Sequence, residues 1–188
     1  MTRTAARSVR LLLAGLVAAV AAVPLTQAAL AGPAAPSVPG TISVGEGHKP
    51  FLIGHAVGVQ IYSCTNAGGA FHWGLPAPRA DLYDDNGQLL ATHFGGPTWR
   101  AKDGSSVVGS RVDGVTVDAT AIPWLLLSAA STSAGPDGDR LAHTSFIQRI
   151  ATTGGLAPAA ADCHAGTAGE TREVPYTADY VFWKATGA

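Results

Sequence analysis

Charge is scarce in this 188-residue chain: Asp, Glu, Lys and Arg make up only 13% of it, twelve basic residues against thirteen acidic. That near-balance excludes the basic footprint a nucleic-acid binder needs to neutralise phosphates. No apolar run is long enough to cross a bilayer as a helix: the longest, LLLAGLVAAVAAV at residues 11–23, is thirteen residues, against a requirement of roughly 18 to 20. Helical periodicity of useful length is missing elsewhere. Also missing is a dinucleotide fingerprint, because the Gly-x-Gly at Gly45-Glu46-Gly47 runs into His48-Lys49-Pro50 and not into a helix. The six histidines show no H-x-H or H-E-x-x-H spacing, and no Gly-x-Ser-x-Gly elbow occurs. From these absences no metal ligands and no cofactor are assigned.

What is present begins with export. Arg3, Arg7 and Arg10 precede the apolar run, Pro24 breaks it, and small residues follow at Ala28 and Ala31. Residues 1–31 therefore read as a secretory signal peptide, cut after Ala31 with Ala28 as the alternative. No cysteine follows the apolar run to carry a lipid, and no twin-arginine pair precedes it. Removing these residues leaves 157, with nine basic and thirteen acidic side chains, a net charge of −4. That length suits one domain with its own core. The expected localisation is secreted, with no membrane span in the mature form.

Two cysteines, Cys64 and Cys163, stand near the two ends of the folded region. In an exported chain they are expected to pair. The rival readings, a free catalytic thiol or a pair of metal ligands, lack the close-spaced Cys or His that metal sites usually show.

Gly and Pro number 23 and 12, and they punctuate the chain at intervals typical of β proteins. Residues 32–47, with three prolines, read as a flexible N-terminal lead ordered only near the domain, and residues 48–188 as a single β-rich domain. Val57, Val59 and Ile61 share one face of a strand ending at Cys64. Asp85-Asn86-Gly87 joins two short runs as a hairpin, since Asn-Gly tolerates the positive φ that a tight turn requires. Ile122-Pro123-Trp124-Leu125-Leu126-Leu127 has no alternation and reads as a strand covered on both faces. Phe146, Gln148 and Ile150 lie opposite Ile147 and Arg149. Tyr176, Ala178, Tyr180 and Phe182 mark the inward face of a last strand. The fold class is all-β: a single antiparallel β-sandwich or barrel-like domain with one disulfide.

One stretch, HFGGPTWRAKDGSS at residues 93–106, concentrates residue types that carry chemistry. Its first reading is structural: Gly95-Gly96-Pro97 and Asp103-Gly104 are turns about a short strand, with Trp99 in the core. Its second reading is a site, in which His93, Trp99 and Asp103 meet Trp124, Gln148 and Arg149 arriving from other strands. An arginine and a glutamine would there orient a polar ligand against tryptophan. Two functions follow. The favoured one is a non-catalytic secreted module binding a cell-wall, matrix or small polar ligand, because no nucleophile, base and orienting group are visible together. The other is an extracellular hydrolase or metal-dependent enzyme using His93 and Asp103.

Taken in order, Gly58-Val59-Gln60-Ile61-Tyr62-Ser63-Cys64, Trp73, Pro78, Ala80-Asp81-Leu82, Asp85-Asn86-Gly87, the segment from His93 through Trp99, Asp103-Gly104-Ser105, Ile122 through Leu126, Ile147-Gln148-Arg149, Thr153-Gly154-Gly155, Cys163 and Val174-Pro175-Tyr176 resemble the family numbered 3455 among the domains of unknown function. The resemblance covers residues 49–183. It implies a secreted bacterial or fungal protein with a compact β-rich domain, and it brings no agreed activity and no catalytic residues.

Overall fold

The computed structural model describes residues 1–2, 32–74 and 77–187. Apart from Met1 and Thr2, the segment read as a signal peptide lies outside the described residues. Among the described residues there is no α-helix, only three short 3-10 turns, and nine strands follow in chain order: β1 (His48–Ala67), β2 (Ala70–Trp73), β3 (Ala77–Tyr83), β4 (Leu89–Phe94), β5 (Thr98–Ala101), β6 (Ser106–Val115), β7 (Trp124–Ser133), β8 (Phe146–Gly154) and β9 (Thr171–Ala185).

All pairings are antiparallel, and β1 decides the architecture. Its residues 55–61 pair with β3 on one edge and with β9 on the other. Because β3 to β9 already form an unbroken ladder, the second pairing closes β1 and β3–β9 into an eight-stranded barrel. Closure gives each of the eight ring strands a neighbour on both sides. The short β2 stays outside the ring, folded back on the end of β1 from Cys64 to Ala67. Of the two expected architectures the barrel is the one formed.

Local chemistry explains the turns and the close approaches. The β3–β4 hairpin turns at Asn86-Gly87, where Gly87 has a φ of +74°. Asp84 anchors it, its carboxylate accepting from the Asn86 and Gln88 amides at 2.9 and 2.8 Å. On β1 the inward face carries Ala56, Gly58, Gln60 and Tyr62, and Val57 on the other face is 59% exposed. The more apolar face of this strand therefore points outward. The reason is crowding: Gly58 sits opposite Ala80, and a Cβ there would overlap the Arg79 carbonyl oxygen.

Two apolar layers result. The barrel interior is filled by Leu82, Trp99, Val107, Leu127, Ile147, Tyr176, Tyr180 and Phe182, so the inward face read for β9 is the one observed. A second layer lies outside, where Trp124, Leu126, Phe146, Ile150, Val181 and Trp183 meet Val38, Ile42 and Val44. β7 is thus covered on both faces, as its unbroken apolar run requires.

This second layer orders the part of the lead nearest the domain. Residues 38–44 are packed, with a 3-10 turn at Gly40–Ile42 and Ile42 fully buried. Burying one such side chain contributes about 1.5 to 3 kcal/mol, and Gln148 Nε2 adds a hydrogen bond of 2.7 Å to the Ile42 carbonyl. Composition rich in proline and glycine suggested mobility, but β7–β9 are apolar on both faces and need this cover. At the lower end of the barrel, residues 134–145 fold across the opening and insert Leu141, which is fully buried beside Ser105.

Candidate functional site

The cavity at the upper end of the barrel is built by cross-strand pairing. His93 on β4 lies directly opposite Trp99 on β5, and both side chains point inward. Their rings stack with centroids 4.2 Å apart and an interplanar angle of 7°. Tyr180 from β9 meets both rings edge-on at 5.0 and 5.3 Å. Trp99 is only 1% exposed, so this side chain is core and cavity wall at once.

Above this cluster the barrel encloses a cavity of about 490 Å³. Each of the eight barrel strands contributes to its wall. The polar contributors are Gln60, His93, Arg111, Arg149 and Tyr180, and the apolar side is formed by Pro97, Pro123, Leu125 and Leu127. Among the described residues the wall holds no carboxylate, lysine, serine, threonine or cysteine.

Arg149 is oriented from within, its Nε and Nη2 donating to the Pro123 carbonyl at 3.1 and 2.8 Å. Two donors in the wall have no acceptor, Gln60 Nε2 and Trp99 Nε1. The Gln60 amide approaches the Tyr176 hydroxyl without completing a hydrogen bond from Nε2. Orphaned buried donors are uncommon, because each costs about 1 to 3 kcal/mol.

His93 donates from Nδ1 to the Thr98 carbonyl at 2.9 Å, which leaves Nε2 as the ring's acceptor. Burial strips hydration from the imidazolium and pushes its pKa down to about 3; the Thr98 carbonyl opposes this and the Arg149 charge adds to it. The ring is neutral at neutral pH and too weak a base for proton abstraction there. A stability consequence follows. Below pH about 6.5 the unfolded chain takes up a proton here that the folded chain takes up only near pH 3. His93 therefore contributes stability that is intact above pH 6.5 and lost as pH falls toward 3. By pH 4 the loss is on the order of 3 kcal/mol. Urea unfolding of the wild type and of His93→Gln between pH 7 and 4 checks this: the acid slope is expected to flatten in the variant, and parallel slopes would contradict it.

The structure brings together three of the six residues read as a site: His93, Trp99 and Arg149. The other three lie elsewhere. Asp103 follows the opposite end of β5, where its carboxylate accepts from the Ser105 amide and hydroxyl at 3.0 and 2.6 Å and from the Arg140 amide at 2.9 Å. Burial raises this carboxyl, yet the bonds from Ser105 and Arg140 outweigh it and hold it below the ordinary range. Asp103 anchors the lower loop and makes no contact with His93. Gln148 is fully buried on the outer face, bonded to Ile42 and to Trp183 Nε1. Trp124 packs in the same outer layer. Within residues 93–106, both turns are therefore turns, and the strand between them supplies one wall of the cavity.

Sequence reasoning missed Gln60, Arg111 and Tyr180. Tyr180 was visible as an inward residue but not as a cavity wall. Gln60 sits among small residues on β1, and that combination was the available signal of an inward polar position. Arg111 offers no local signal. Among the described residues no group of three or more His, Cys, Asp or Glu is placed to hold a metal ion.

Residues 45–184 match the model of a family described as Protein of unknown function (DUF3455). No curated protein and no solved structure matches the chain.

Proposed function

The chain belongs to the DUF3455 family, whose description assigns no activity, and from that premise we propose that it is a secreted, non-catalytic binding module that takes one small ligand into the mouth of its barrel. The observation that carries this reading is the cavity of about 490 Å³ walled by every barrel strand. Eight-stranded barrels have an interior of the size that holds one small molecule, and ligand cavities run from about 300 to 1,000 Å³. The recess is closed below by the stacked rings of His93, Trp99 and Tyr180, which suits a small molecule better than a polymer. Export is supported by the residue pattern at 1–31 and by the Cys64–Cys163 disulfide. The absence of catalysis is supported by the wall itself, which among the described residues combines a neutral, weakly basic His93 with no serine, cysteine or carboxylate partner. The enzymatic reading needed His93 beside Asp103, and these two lie at opposite ends of β5.

N-phenyl-1-naphthylamine, a neutral apolar dye that brightens when desolvated, tests the reading. The wild type is expected to enhance its emission saturably with one site per chain. Leu125→Trp, which fills the cavity from β7, is expected to abolish that enhancement while keeping the far-ultraviolet spectrum of the fold. Enhancement that is absent in the wild type, or undiminished in the filled variant, would refute a ligand site in the mouth.

A further inference from the structure

Resting on the binding reading above, we infer that the barrel mouth selects a ligand with a single negative charge on an otherwise apolar body, a carboxylate held by Arg149 and Arg111.

The charge of the wall is one-sided. Arg111 on β6 and Arg149 on β8 flank the inward Leu125 and Leu127 of the intervening β7. Neither guanidinium is paired with a carboxylate among the described residues, whereas Arg79 and Arg172 pair with Glu173 and Glu170 at 2.7 and 2.9 Å. Two unpaired cations around one recess are a notable concentration in a chain with so few charges. Arg149 is partly buried and Arg111 exposed; partial burial of the Arg149 guanidinium without a counter-charge is costly, and an anion entering the recess relieves that cost.

Hydrogen-bonding capacity has the same sign. Both buried polar atoms without partners are donors, Gln60 Nε2 and Trp99 Nε1, and against them stands one acceptor, His93 Nε2, so the donors of the wall outnumber its acceptors. Arg149 is held in place through the Pro123 carbonyl and lies beside the Tyr180 hydroxyl, so its fork is oriented in advance for a carboxylate. Among the described residues of the wall a cationic ligand meets no carboxylate.

The remaining wall limits the charge to one. Pro97, Pro123, Leu125 and Leu127 form an apolar side with nothing to solvate a second anionic group. Exposed Val112 and Val117, on the end of β6 and the connection after it, and Leu156, in the connection after β8, lie at the same end of the barrel. An amphipathic acid fits this division, its carboxylate on the arginines and its body along the prolines and leucines.

Displacement of bound N-phenyl-1-naphthylamine by matched acids and amides tests the assignment, using 2-naphthoate against 2-naphthamide and decanoate against decanamide. In at least one pair the acid is expected to displace the dye at about tenfold lower concentration than its amide, the effect of one charge-assisted hydrogen-bond pair. Arg149→Gln and Arg111→Gln are each expected to shrink that ratio toward one, and Arg100→Gln, on the outer face of β5, to leave it unchanged. If Arg149→Gln fails to fold because it releases the Pro123 carbonyl, Arg111→Gln on the exposed end of β6 carries the test. Acids and amides acting alike, or displacing nothing while the dye stays bound, would overturn the anion assignment and leave the binding reading standing. A preference that survives both arginine substitutions would overturn it equally. Failure of the dye itself to bind would remove both.

Discussion

Replacing both Cys64 and Cys163 with alanine is expected to lower the free energy of unfolding by about 4 to 5 kcal/mol, because the bridge closes a loop spanning 99 residues and removes that much chain entropy from the unfolded state. For a domain whose total stability is of order 5 to 15 kcal/mol, this is a large fraction. The bridge also has a local task. It joins the end of β1 to the connection between β8 and β9, whose two 3-10 turns, Ala160–Asp162 and Ala165–Thr167, contain no buried residue. Cys64 exchanges backbone hydrogen bonds with Glu170 and Gly169 at 2.9 Å, so the sulfurs hold a segment that apolar burial does not. The double variant should keep the far-ultraviolet spectrum of the barrel and lose stability in urea. A loss under about 1 kcal/mol would mean that the unfolded chain is already restricted without the bridge.

Trp99→Ala is expected to cost about 3 to 5 kcal/mol, the range for removing a buried aromatic side chain without collapse of its surroundings. Trp99 stacks on His93 and meets Tyr180 and Phe182 edge-on, and a rigid closed ring has little freedom to fill the void. Trp99→Phe should cost much less than its lost volume suggests. It keeps the stack and deletes the indole N–H that has no acceptor, a group whose burial is itself unfavourable by about 1 to 3 kcal/mol. Both variants delete the N–H, so the difference between their urea midpoints reports the ring that phenylalanine retains. Equal losses would mean that a phenyl ring does not hold the stack, and a Trp99→Ala loss below about 1 kcal/mol would remove Trp99 from the core. Loss of ligand binding in Trp99→Ala would therefore report on folding as much as on recognition, and the arginines are the cleaner probes of the cavity.

How far the sequence could be read follows from which forces are local. The alternation of Tyr176, Ala178, Tyr180 and Phe182 was legible because a strand buried on one face repeats every two residues. The hairpin at Asn86-Gly87 was legible because positive φ demands few residue types. The same logic failed on β1, where Val57 and its neighbours point outward: crowding against β3 reserves the inner face for glycine and alanine, and that constraint comes from a strand about twenty residues away. It failed again for Gln148 and Trp124. Where β7 and β8 are apolar on both faces, pattern alone does not say which side is the barrel interior.

Among the candidate residues, His93, Trp99 and Arg149 lie around one cavity and Asp103 lies away from it. His93 and Asp103 are ten positions apart and close in sequence, but β5 runs between them from the mouth of the barrel to its base. Nearness along an extended chain is distance in space, about 3.3 Å for every residue.

By itself the sequence determined the strands, most of their turns, the pairing of Cys64 with Cys163 and the scarcity of charge, all consequences of local backbone preference or of composition. Only the tertiary structure decided that β1 joins both β3 and β9, and with that closure which faces became interior, why residues 38–44 are packed, and which side chains surround the cavity. The physical reason is that ring closure is a pairing between the two ends of the domain, and no local preference along the chain encodes which distant edge a strand will meet.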